Sequence, residues 1–200
     1  MKILILGGFL GSGKTSFLGQ LAQYLTDISP EKRTGNVVIL ENEIGQKGID
    51  DKFLRSSGYQ VENMFNGCVC CTLGGDLLTA VDRIQKQYQP EWMILETTGL
   101  AYPGLIQENL LEGLQMNAGI CTLADASRWL RIRKPMEELL LGQIECADIV
   151  LINKADLSDD KTLSLMENDI HIMNPNAMIY RICALNGIDP KIMNRILSIV

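Results

Sequence analysis

The stretch Gly8-Phe9-Leu10-Gly11-Ser12-Gly13-Lys14-Thr15 constrains this chain more than any other, because a short apolar run precedes it and a segment of helical period follows. It fits G-x-x-x-x-G-K-[ST] in full. Glycines let the backbone wrap tightly, so that successive N–H groups turn inward toward a β-phosphate. A helix starting at Lys14 adds the positive end of its dipole. Lys14 is then placed to reach the β- and γ-phosphates, and the Thr15 hydroxyl to ligate Mg²⁺. Gly8, Gly11, Ser12, Gly13, Lys14, Thr15 and Ser16 are the predicted phosphate-binding residues.

A strand, phosphate loop and helix in that order belong to an α/β fold, and the remaining pattern agrees. Strands are predicted at 2–6, 37–41, 61–65, 92–95, 119–124, 149–153 and 178–182, and helices at 14–25, 73–88, 104–115, 135–143, 158–173 and 190–197. Runs such as "ILIL" and "DIVLIN" are apolar on both faces, as a parallel sheet covered by helices on both sides requires. The expectation is an α/β three-layer P-loop NTPase with a mostly parallel central sheet, a single domain over residues 1–200. The longest irregular stretch, about 42–60, is of a length that is usually functional in a compact domain.

Composition narrows the class. Two hundred residues bury a sizeable core without disulfides. A net charge of −6 argues against a nucleic-acid partner, which needs clustered Lys and Arg to neutralise phosphates. The local basic group Arg128, Arg131, Arg133 and Lys134 reads as a solvated face rather than a docking patch. The apolar run at the start is too short for a secretory signal, and no stretch approaches the ~20 apolar residues that span a bilayer. The expected setting is cytoplasmic, without a membrane partner, where thiols stay reduced.

Asn153-Lys154-Ala155-Asp156 closes the apolar run "DIVLIN" in the N-K-x-D pattern. A carboxylate at Asp156 accepts from both guanine N1–H and N2–H₂, a donor pair adenine lacks. Asn153 and Lys154 would brace the pocket. Cys183-Ala184, near the next strand's end, is the expected second wall of the base site. In Met93-Ile94-Leu95-Glu96-Thr97-Thr98-Gly99, an acid closes a strand three residues before a glycine. Glu96 is placed to hold Mg²⁺ or position the attacking water, and the Gly99 N–H to meet the γ-phosphate. Lys14, Glu96 and Gly99 are the catalytic candidates.

With these segments in order, the chain resembles the CobW-type GTPases. "ENEIGQKGID" (41–50), "GCVCCT" (67–72), "ETTGLAYP" (96–103), "CTLADA" and "QIECADIVLINKADL" carry the likeness, which covers most of residues 1–190. It implies a GTP- and GDP-binding, nucleotide-gated metal handler that takes up metal in the GTP state and releases it to a client protein after hydrolysis. It also implies a nucleotide-dependent homodimer, with switch segments at 41–50 and 97–103. The second, C-terminal domain usual in the family is not expected here, and His171, the single histidine, is not expected to ligate metal. No arginine finger is evident in cis, so intrinsic turnover should be slow.

Cys68, Cys70 and Cys71 fall within four positions between the two switch segments. Thiolates favour soft or borderline ions, Zn²⁺ or Co²⁺ before Ni²⁺ or Cu⁺, over Mg²⁺. Three sulfurs leave a tetrahedral ion one ligand short, to be completed by Glu43, water or a cysteine of a second protomer. A redox pair and an iron–sulfur cluster shared between protomers are the competing readings. Cys121, Cys146 and Cys183 stand singly near apolar segments and are expected in the core. The alternative to a metal carrier is a GTP-gated module that docks on a corrinoid or other metalloprotein without carrying metal itself.

Overall fold

The computed structural model describes residues 1–28, 37–41, 60–63 and 75–200, with backbone alone for 60–63. Among the described residues seven strands form one sheet: β1 (Lys2–Gly8), β2 (Val37–Glu41), β3 (Gln60–Asn63), β4 (Trp92–Glu96), β5 (Ala118–Asp125), β6 (Ile149–Asn153) and β7 (Met178–Arg181). Their order is β3-β2-β4-β1-β5-β6-β7, and every neighbouring pair is parallel. The helices are α1 (Lys14–Asp27), α2 (Gly75–Tyr88), α3 (Pro103–Leu114), α4 (Trp129–Ile132), α5 (Glu137–Ile144), α6 (Asp160–Met173) and α7 (Pro190–Leu197).

Alternation along β1 divides the core between two faces. Ile3 and Ile5 pack with Leu77, Val81 and Ile84 of α2, Ile106 and Leu110 of α3, and Met166 of α6. Leu4 and Leu6 pack with Phe17, Leu18 and Leu21 of α1 and with Met193 and Ile196 of α7. All four β1 side chains are fully buried, each stabilising the fold by roughly 2 kcal/mol. The expected three-layer α/β fold is therefore present, with helices on both faces of a parallel sheet.

Three details differ from the sequence expectation. β4 takes in Glu96 and β5 takes in Asp125, so both acids belong to the ladder and not to the loops after it. The 3₁₀ turns Ala126–Arg128 and Ala155–Leu157 and the four-residue α4 are too short to leave a periodic signal. Cys121 is core as expected, but Cys146 is exposed and Cys183 half-buried, because each sits just beyond its apolar run. Cys121 is held far from ionisation, first by burial and then by the nearby Asp148 charge. Among the described residues no helix is long and apolar enough to cross a membrane.

Candidate functional site: a nucleotide cavity at the strand ends

Parallel strands with β1 in the middle bring several carboxyl ends to one edge, where α/β sheets bind their ligands. A cavity of about 980 Å³ lies there, lined by Gly11, Gly13, Lys14, Thr15 and Ser16 from the phosphate loop and α1. Glu41, Glu96–Gly99, Asn153–Lys154, Asp156 and Cys183–Ala184 complete its wall. The predicted phosphate, γ-phosphate and base segments thus share one cavity.

The floor is the start of α1. Helices α6 and α7 begin on aspartates, Asp159 and Asp189, whose side chains accept from backbone N–H groups in the first turn. Helix α1 begins on Gly13 with no side-chain cap and no acid in its first turn. Its first N–H groups face the cavity edge and suit an anion. Gly13 is left-handed at φ 97°, and a Cβ there would lie 2.2 Å from Asn153 Nδ2, so only glycine fits on both counts. The buried Lys14 folds back, its Nζ donating to Gly8 O at 2.8 Å and to Phe9 O at 3.3 Å.

The base side is cross-braced. Asn153, fully enclosed, donates through Nδ2 to Ser12 O at 2.7 Å and accepts from Ala184 N–H at 2.9 Å. Gln20 of α1 also donates to Ala184 O. Lys154 Nζ donates to Gly11 O and to Asp125 Oδ2, both at 2.7 Å. Arg128 donates through Nε to the same Asp125 oxygen at 3.0 Å and through Nη2 to Leu10 O. Burial opposes the Asp125 charge, but hydrogen bonds from Lys154 and Ser127 and the charges of Lys154 and Arg128 outweigh it. Its carboxyl is accordingly held below the usual carboxylate range. Asp156 stays exposed at the cavity's edge, free of that network's geometry and open to a base.

The γ-phosphate side is built differently. Glu41 and Glu96 are directly opposite in the β2–β4 register, which puts their side chains on one face. Two strand-end carboxylates on one face, with the Thr15 hydroxyl on the same cavity wall, are hard oxygen donors of the kind Mg²⁺ takes. Thr97 is tied to β1, its N–H and hydroxyl both donating to Leu6 O. Gly99 lies against the phosphate loop so closely that a Cβ there would meet Leu10 N at 2.5 Å. The buried Gln143 of α5 donates to Gly99 O at 2.8 Å.

Glu41, Asp125, Arg128 and Gln143 were not singled out as site residues from sequence. Asp125 closes "CTLAD" as Glu96 closes "WMILE", an acid ending an apolar strand, which is the signal that could have found it. Arg128, expected on a solvated face, braces the phosphate loop, and Arg133 pairs with Asp169 at 3.3 Å. His171 is exposed in the last turn of α6. Glu43, Cys68, Cys70 and Cys71 lie outside the described residues, as does most of the first switch segment. Among the described residues no group of three or more His, Cys, Asp or Glu is arranged to hold a metal ion.

A zinc-regulated GTPase metalloprotein activator of Dictyostelium discoideum is 29% identical over 219 residues, covering 90% of this chain and 45% of that protein. The Escherichia coli zinc chaperone YeiR is 31% identical over 157 residues, covering 76% of this chain and 46% of its own length. The chain thus spans about half the length of the curated relatives it matches. In structure it is similar to the hydrogenase maturation factor HypB of Archaeoglobus fulgidus, with a TM-score of 0.71 at 18% identity, covering 100% of this chain and 90% of that one. Residues 2–181 match the family described as the CobW/HypB/UreG nucleotide-binding domain, and the chain belongs to that family.

Proposed function

We propose that this chain is a GTPase domain that couples GTP binding and hydrolysis to the handling of a transition-metal cargo, Zn²⁺ in the first instance, for delivery to a client protein in the cytoplasm. The observation that carries the reading is one cavity joining an uncapped helix N-terminus, two strand-end carboxylates and the Asn153–Asp156 turn. The phosphates of GTP lie over the first turn of α1, with Lys14 turning from Gly8 O to the β- and γ-oxygens. Asp156 accepts from the guanine edge while Asn153 and Lys154 hold the loops that frame it. Glu96 orients the attacking water, and Gly99 N–H receives the γ-phosphate. Mg²⁺, held by Thr15, Glu96 and Glu41, would neutralise charge on the β- and γ-oxygens when bound.

The relatives named as zinc chaperones support zinc as the cargo, and Cys68, Cys70 and Cys71 supply its thiolates. Four leucines from separate loops, Leu10, Leu100, Leu157 and Leu185, rim the cavity and are 59–84% exposed. Such a rim suits a second copy of the chain closing across the nucleotide. It equally favours a second reading, in which the GTP state docks on a metalloprotein and carries no metal.

Zn²⁺ affinity measured with Mg²⁺ plus a non-hydrolysable GTP analogue, and again with GDP, tests the proposal. The expected result is a difference of about tenfold or more, lost in Cys70→Ser and Cys71→Ser variants. If those variants keep the nucleotide-dependent affinity, the carrier reading fails and the docking reading stands.

A further inference from the structure

Helix α5 and the turn after it are packed onto the γ-phosphate segment and the start of α3 at three points. Gln143 Nε2 donates to Gly99 O at 2.8 Å. A Cβ on Gly142 would lie 2.1 Å from the Tyr102 ring, so that ring rests directly on the helix backbone. A Cβ on Gly104 would lie 2.8 Å from Cys146 Sγ, closing the third contact. The helix is itself fixed from behind, because the buried Thr122 hydroxyl of β5 donates to Gln143 O at 2.8 Å. Gln143 is 2% exposed, so its amide has no bulk water as an alternative partner.

Gly99 is the residue this arrangement holds. It sits between the Leu10 backbone on one side and the Gln143 amide on the other. Thr97 and Thr98 are tied by their own bonds, Thr97 to Leu6 O and Thr98 O to the Ala101 N–H, and it is the Gln143 amide that reaches the Gly99 peptide itself. We propose that Gln143 is a positioning residue for the γ-phosphate: by pinning Gly99 O it keeps the Gly99 backbone turned toward the phosphate loop in the geometry that distinguishes a triphosphate from a diphosphate. The inference rests on the GTPase reading above. Gln143 does not touch the nucleotide; it acts through Gly99.

The test uses Gln143→Leu and Gln143→Met, which both remove the donor at similar volume, one branched and one unbranched. Thermal unfolding first establishes that each variant folds. Affinity for GDP and for a non-hydrolysable GTP analogue is then measured, with kcat and KM for GTP. Both variants should lose about tenfold in analogue affinity and in kcat, with GDP affinity within twofold of the parent, as expected for one lost buried hydrogen bond. Equal losses for GDP and the analogue, or a Gln143→Met protein that behaves like the parent, would mean that Gln143 only packs. If neither variant folds, Gln143 is structural and the inference is likewise overturned. A parent protein that neither binds nor hydrolyses GTP refutes the functional reading itself, and this inference with it.

Discussion

The base side and the γ-phosphate side of the cavity solve opposite problems. Around Asp125, opposite charges meet within the protein: one enclosed carboxylate pairs with both Lys154 and Arg128, and those cations hold the Gly11 and Leu10 carbonyls. That half is a finished clamp, ordered by the protein's own ion pairs. Across the cavity, Glu41 and Glu96 face each other with the same sign in adjacent strands. In the proposed function it is on that half that the cation and the third phosphate bind. A nucleotide timer would use this difference, because the half that meets the third phosphate is the half that changes when that phosphate leaves.

The largest effect should come from changing what the clamp presents to the base. Asp156→Asn should weaken GTP by on the order of a hundredfold, since an amide accepts from only one of the two guanine donors. Xanthosine triphosphate, with a carbonyl where guanine has an amine, should gain in turn. Competition binding with the two nucleotides checks this, and unchanged GTP affinity removes Asp156 from the base site.

On the opposite side, Glu96→Gln should lower kcat by about a hundredfold while leaving GDP affinity within a few-fold, and Glu41→Gln by about tenfold. Both should raise the Mg²⁺ concentration needed for half-maximal hydrolysis. If either weakens GDP as much as GTP, the two halves are not separate in function and the comparison breaks.

The smallest effect on catalysis, and the clearest on stability, belongs to the clamp's interior. Asp125→Asn leaves Lys154 and Arg128 without their shared anion and should cost roughly 2 kcal/mol, a fall in Tm of about 6 °C, with nucleotide affinity down about threefold. The pH dependence follows from the depressed carboxyl. Because Asp125 ionises more readily folded than unfolded, its contribution is present above the ordinary carboxylate value of about 3.9 and is lost as pH falls through the lower folded value. The Tm gap between parent and variant should therefore narrow below about pH 4. A gap that stays constant from pH 7 to pH 3 would mean the carboxylate charge is not what holds the loop.

Much of this was legible in the linear chain because it depends on contiguous residues. The strand, glycine loop and helix of 2–25 needed only period and spacing, and Asn153–Asp156 and Glu96–Gly99 announced themselves as polar residues ending apolar strands. Helix and strand periods express local geometry that hydrophobic burial then rewards, so fold class follows from pattern alone. What the tertiary structure decided is pairing across distance. That Glu41 stands opposite Glu96, that Arg128 reaches back 118 residues to Leu10, and that Gln143 grips Gly99 depend on strand order and helix packing. Sequence spacing carries no record of which strand lies beside which, because non-local contacts form only when the sheet assembles and its register puts particular side chains within hydrogen-bonding reach.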